Sequence, residues 1–235
     1  SKPYKNDIFY YTITYNENAK KDAQVASELA SVVGIKKHNL DFKNNADPEF
    51  LRAFMKNTSN MSSEFRGQIA YTLCNSYPSE FLHIKSNGSE ICRNFYHNYK
   101  SKKRINPWLG INSLVLSGLY NICPESSFVQ NCFDEYIKIS RFDSKKFRKY
   151  NYDFSDIFYW EHRMGIWQSL CLLEWDIAQI SLIPYNCRYI LMRMLSLPLR
   201  ERIAGTVYFK MIQNYWKDVL SVPINPFKNR KWLIP

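Results

Sequence analysis

Apolar positions along the chain change period from two to three-and-a-half, and the change divides it into a mixed first part and a helical second part. Asp7 to Tyr15 is rich in aromatic and β-branched residues and predicts a buried strand. After the polar stretch Asn16 to Lys21, Val25, Leu29 and Val33 recur at helical spacing, so a helix is expected over Ala23 to Val33, capped by Asp22 and stopped by Gly34. Lys37 to Phe42 alternates weakly and predicts a second strand. Strand, helix, glycine and strand in this order imply a parallel pair with a right-handed crossover.

Pro48 opens a helix to about Lys56 and a further helix is expected over Glu64 to Asn75. Phe81 to Ile84 reads as a short strand followed by the polar loop Lys85 to Glu90. From about residue 100 the pattern becomes helical, over Ile105 to Cys123, Ser127 to Ile139, Ser155 to Leu173, Cys187 to Leu195 and Thr206 to Leu220. The expected organisation is an α/β half over 1–100 and a helical half over 101–235, with the boundary between residues 98 and 106.

Composition adds charge to this picture. The chain has 235 residues with 32 Lys and Arg against 21 Asp and Glu, a net charge of +11, which favours anionic partners without choosing among them. Basic blocks at 100–104, 138–149 and 228–231, interleaved near the second with Phe142, Phe147, Tyr150 and Tyr152, could follow a nucleic-acid backbone, or could be a solvated face. The six cysteines contain no CxxC pair, so zinc ribbons are disfavoured and reduced, buried thiols are expected. The opening residues carry no leader pattern, and the longest uncharged stretch, Ile105 to Pro124, is broken by Pro107, Gly110 and Gly118. A cytoplasmic protein with no membrane contact is the expectation. No HxxxH pair, G-x-S-x-G elbow, P-loop or Rossmann fingerprint is present.

Three groups of residues carry chemistry. Ser86, Asn87, Gly88 and Ser89 follow a strand and could cradle a phosphate, with Glu90 as a magnesium ligand; the alternative is a surface turn opening a helix. Glu161 and Arg163 lie in the dense run Trp160 to Gln168, where Arg163 could grip a carboxylate or phosphate; equally, Tyr159, Trp160 and Trp167 could be the core of a helical layer with Glu161 and Arg163 on its wet side. His83, inside an apolar strand, reads as packed rather than catalytic.

Thr12, Thr14 and Tyr15 with the Lys21 to Ala30 helix, Leu82 to Ile91 with Phe95-Tyr96, and Phe158 to Ser169 with Glu174, Asp176, Pro184 to Asn186 and Lys210 to Pro226 together resemble the synthetase domain of the asparagine synthase-like family, in the ATP pyrophosphatase superfamily. The resemblance implies a doubly wound, mostly parallel α/β sheet of the adenine nucleotide alpha hydrolase-like type followed by a helical layer. It implies ATP and Mg2+ as cofactors and an ATP-dependent amide-forming ligase that adenylates a small carboxylate, releases AMP and pyrophosphate, and passes the acyl group to an amine. Carried over by position, Thr12 and Ser86 to Ser89 would contact the nucleotide, Glu90 the metal, and Lys210, Glu161 and Arg163 the reacting groups. The family's Ser-Gly-Gly-x-Asp-Ser phosphate loop has no counterpart here, and Asn87 stands at a glycine position. A second polypeptide supplying that loop is one expectation; a homo-oligomer is left open. The alternatives are an inactive binding or scaffold protein of the same fold, and an ATP-dependent enzyme of the superfamily acting on nucleic acid.

Overall fold

The computed structural model describes residues 7–95, 127–141 and 144–223. Helix accounts for 62% of it. The opening strand, β1 (Tyr10–Thr14), pairs in parallel with β2 (Lys37–Asp41), in register from Tyr10 opposite Lys37 to Thr14 opposite Asp41. Between them runs α1 (Glu17–Val33), which starts earlier than its apolar spacing suggests. Its cap is Asn16, whose side chain accepts from the Ala19 N–H at 2.8 Å, so the polar stretch expected as a turn is the helix's first turn. Ala19, Ala23 and Ala30 extend the buried stripe, their small side chains letting the helix lie close on the strands. Gly34 ends it in the left-handed region at φ 65°, donating to Ala30 and Ser31.

The helices α2 (Pro48–Asn57) and α3 (Glu64–Cys74) follow and pack on each other. The second strand pair is only two residues long on each side, β3 (His83–Ile84) with β4 (Ser181–Leu182). Its ladder bonds run from His83 N–H to Ile180 O and from Lys85 N–H to Leu182 O, each 2.9 Å. The remaining elements are helical. They are α4 (Ser127–Ser140), α5 (Ser144–Lys149), α6 (Phe154–Phe158), a π-helix (Tyr159–Gln168), α7 (Ser169–Asp176), α8 (Arg188–Leu195), α9 (Leu199–Ala204) and α10 (Thr206–Tyr215), with 3₁₀ turns at Ser89–Arg93 and Lys217–Ser221.

The expected doubly wound sheet is therefore corrected to two separate two-stranded sheets in a mostly helical protein. Among the described residues β1 and β2 pair only with each other. The third strand of the expected sheet, Phe81 to Ile84, meets β1 through side chains: the Tyr11 hydroxyl and His83 Nε2 are 2.5 Å apart and their rings 5.7 Å. Its backbone bonds go to β4 instead. The domain boundary expected near residues 98–106 and the helix expected over Ile105 to Cys123 lie outside the described residues.

Two compact units are built from discontinuous segments. The first comprises Ser1–His83, Leu172–Ser181 and Tyr208–Pro235, the second Ile84–Cys171 and Leu182–Val207. In the first, α1 covers one face of the β1–β2 ladder, and Lys37 on that face donates to Ala23 O and Ser27 Oγ, both at 3.3 Å. The aromatic face carries Phe9, Tyr11, His38, Tyr77, Phe81, His83 and Trp175 in ring-to-ring contact. Phe54, Ile69, Ala70 and Leu73 are the interior of the α2–α3 pair.

The second unit is organised by a buried ion pair. Arg202 of α9 and Asp156 of α6 bond directly, with side chains 0% and 1% exposed. Asn94 Nδ2 donates to the same Asp156 oxygen at 3.3 Å. Arg202 Nε donates to Leu197 O and Nη2 to Asn151 O, each at 3.1 Å. One guanidinium thus ties the turn before α6 to the α8–α9 connection. Nearby, the Ser86 to Ser89 segment turns through Gly88 at φ 92°, where an added Cβ would lie 3.3 Å from Tyr185 Cβ.

Burial pushes Asp156 from an ordinary 3.8 up to about 6, against the lowering pull of Arg202 and Asn94. Between those values the native state holds the proton and the unfolded chain does not. This group's contribution to stability therefore falls as pH rises from about 4 to 6 and is flat above. Removing the cation with Arg202→Met raises the Asp156 pKa further, so the loss, about 3–5 kcal/mol at neutral pH, shrinks as pH falls to about 6 and levels off below it. Urea denaturation of both proteins at pH 5 and 7.5 measures the difference, and a gap that is constant with pH would contradict it. At the turn, Gly88→Ala is expected to cost about 1–3 kcal/mol, while Ser86→Ala beside it stays within about 0.5 kcal/mol. Comparable losses for both would show that the positive φ is not what the turn depends on.

Candidate functional site

The residues singled out from the sequence fall into both units. Thr12 is half-buried on β1 opposite Asn39, on the face that α1 covers. Lys210 is exposed on α10 and, like Thr12, belongs to the first unit. Ser86 to Glu90, Glu161 and Arg163 belong to the second.

Within the second unit, Ser86 O accepts from Ser89 N–H at 3.4 Å and Gly88 O from Ile91 N–H at 3.2 Å, so the Ser89 amide closes the loop's own turn. Gly88 is buried against Tyr185. Glu90 sits in the first turn of the 3₁₀ segment, with Oε2 enclosed and without a hydrogen-bond partner among the described residues. Among the described residues no group of three or more His, Cys, Asp or Glu side chains is gathered as a metal site.

The Trp160 to Gln168 run forms the π-helix. Glu161 accepts from the Tyr136 hydroxyl at 2.6 Å, and burial, reinforced by this bond and the carboxylate's charge, holds the Tyr136 phenol well above its usual range. The Arg163 guanidinium lies 4.3 Å from the Trp167 ring and 5.5 Å from Phe95. His162 stacks on Phe158 at 4.9 Å, and burial, with Arg163 beside it, lowers its pKa. Arg163 is thus held by aromatic faces. In the first unit, Glu174 accepts from Ser62 Oγ at 2.7 Å and Asp176 from the Ser181 N–H at 3.3 Å. Both bonds join segments of the fold.

The cysteines divide. Cys92 is buried, its thiol pushed up to about 12 chiefly by desolvation, whereas Cys74 and Cys132 are exposed; all five described cysteines are free thiols. The expectation of uniformly buried thiols is corrected accordingly. No described helix is long and apolar enough to cross a membrane.

The second basic block builds a surface. In α5, Lys145, Lys146 and Lys149 are exposed. The chain then turns through Asn151 at φ 61°, and the Tyr150 and Tyr152 rings stand 6.2 Å apart. Tyr152 Oη donates to Met192 O at 3.4 Å and Asn151 Nδ2 to Ser196 O at 3.0 Å, which fastens this turn to the last turn of α8. Arg193 and Tyr189, one helical turn apart on α8, stack with the guanidinium 4.9 Å from the ring. Tyr189 is 66% exposed and Tyr150 52%. Arg188 and Arg200 are exposed nearby in sequence. The buried Arg202 bonds to Asn151 O and Leu197 O anchor both sides of this face. Periodicity does not reveal Tyr189–Arg193, because apolar spacing predicts the helix but not which exposed side chains stack on it. Phe142 and the basic blocks at 100–104 and 228–231 lie outside the described residues.

The first unit holds an open groove of about 900 Å³ between the Asn44–Ala46 loop, α2 and the start of α3. Arg52, Lys56, Asn45, Asn60 and Glu64 are among its polar walls.

No protein-family model matches the chain, and neither a curated protein nor a solved structure does. With two small sheets in place of a nucleotide-binding sheet, this overturns the asparagine synthase-like membership. The amide-forming, AMP- and pyrophosphate-releasing ligase falls with it, as do the inactive scaffold of that fold and the nucleic-acid-modifying enzyme of that superfamily.

Proposed function

We propose that this chain is a nucleic-acid-binding protein that holds single strands on the basic and aromatic face of its second unit. The observation that carries the reading is the exposed Tyr189 ring stacked with Arg193, beside the Tyr150–Tyr152 turn and the lysines of α5. Single-strand binding needs cations that track the phosphates and rings on which unstacked bases lie, and exposed groups of both kinds lie on α5, on α8 and on the turn whose bonds to α8 join them. An exposed tyrosine ring keeps apolar area in water that stacking on a partner would remove, so two of them beside cations suit a partner with planar faces and negative charge. The net charge of +11 supports the same class of partner over a long range.

The face offers about four phosphate contacts, from Lys145, Lys146, Lys149 and Arg193. A short labelled oligonucleotide titrated by fluorescence anisotropy is then expected to lose affinity with salt at a log–log slope of about −2.8, from roughly 0.7 per contact on a single strand. Lys149→Glu with Arg193→Glu should weaken binding and flatten that slope. Binding that ignores salt, or is unchanged in the double variant, removes the proposal. Tyr189→Ala should cost about 1–3 kcal/mol with the salt slope intact, since it removes stacking and no charge. If Tyr189→Ala binds like the parent, the ring is not a platform.

A further inference from the structure

We propose that the groove of the first unit is a second, separate site that takes a small phosphate monoester, such as a phosphorylated sugar. Its volume of about 900 Å³ lies within the roughly 300–1,000 Å³ of small-molecule sites. Arg52 and Lys56 are four residues apart on α2, both exposed and both lining the groove. Among the described residues neither makes an ion pair or a side-chain hydrogen bond. Two like charges at this spacing repel each other and weaken the helix. An anion between them removes that cost, and a guanidinium beside an ammonium matches the oxygens of a phosphate.

The other walls select the rest of the ligand. Asn45 and Asn60 bring amides that both donate and accept, which suits hydroxyl groups. Asn60 is held at the rim by a left-handed pair, Ser59 at φ 52° and Asn60 at φ 58°, with its N–H on Met55 O at 2.8 Å. On the opposite side the loop is pinned by Gln68 Nε2 to Asn44 O at 2.9 Å and Lys43 N–H to Thr72 Oγ1 at 3.0 Å. The walls are therefore fixed before a ligand arrives. Glu64 also lines the groove, accepting weakly from Gln68 at 3.4 Å. Its carboxylate repels a second anionic group, which favours one phosphate over a di- or triphosphate.

Calorimetric titration with ribose 5-phosphate, inorganic phosphate and ribose at low ionic strength tests the site. Saturable binding of ribose 5-phosphate is expected, with weaker binding of inorganic phosphate and none of ribose. Arg52→Gln and Lys56→Gln should each weaken it about tenfold. Tyr189→Ala should leave it unchanged, so its failure and that of the nucleic-acid reading are told apart. No binding of ribose 5-phosphate at millimolar concentration, or equal binding in the Arg52→Gln, Lys56→Gln double variant, overturns the site. Equal affinity for inorganic phosphate and ribose 5-phosphate overturns the monoester, because the asparagines then recognise nothing.

Discussion

The second unit depends on a charge placed where charges are expensive. Arg202 is wholly enclosed, and all three of its guanidinium nitrogens donate, to one carboxylate and two backbone carbonyls. A hydrophobic residue there could fill the volume but could not satisfy Asn151 O and Leu197 O. Those carbonyls belong to irregular segments, the left-handed turn before α6 and the end of α8, which have no ladder of their own. The ion pair is thus less a source of net stability than a means of fixing two loops against each other. In the proposed binding face, Tyr150 and Tyr152 flank the first of those loops, and the other ring and the cations sit on α5 and α8, the helices that lead into them.

The first unit is held differently. Its two-stranded ladder is too small to be stable alone, and it is closed by alanine-lined α1 on one face and by a cluster of rings on the other. Tyr11 and His83 show the cost and benefit of building with polar aromatics. Their rings bury area, and the hydroxyl and imidazole then need each other, at 2.5 Å. Burial and the neighbouring Tyr77 also raise the Tyr11 pKa, so the phenol stays neutral there.

Local features were legible because local physics decides them. Gly34, the proline at the start of α2 and the packed role of His83 could be read from residue type and position. The start of α1 was misplaced because alanines carry little apolar signal although they bury well. The extent of the sheet was not legible, since the partner of a two-residue strand nearly a hundred residues away leaves no periodicity. Ser-Asn-Gly-Ser illustrates the limit: a phosphate cradle and a tight turn ask for the same residues, and here Gly88 answers the approach of Tyr185. Arg202 was missed altogether. It lies in Leu-Arg-Glu-Arg-Ile-Ala, where an arginine reads as solvated, and only its long-range partner Asp156 makes it structural.

The same distinction separates the cations of this chain by role. Arg202 is matched to a buried acid, and Arg163 lies against two rings. Lys20 pairs with Glu17 on the surface at 2.8 Å, an exposed contact of little consequence. Arg52, Lys56, Lys149 and Arg193 have no acidic partner among the described residues, and they fall in two places. Charges that served only solubility would be scattered and mixed in sign. In one place they line a concavity with amides, in the other they flank exposed rings on a braced turn. Phosphate is common to both settings, but a groove measures the size of what carries it and an open aromatic face does not. That difference argues for a small ligand in the first unit and a chain-like one on the second.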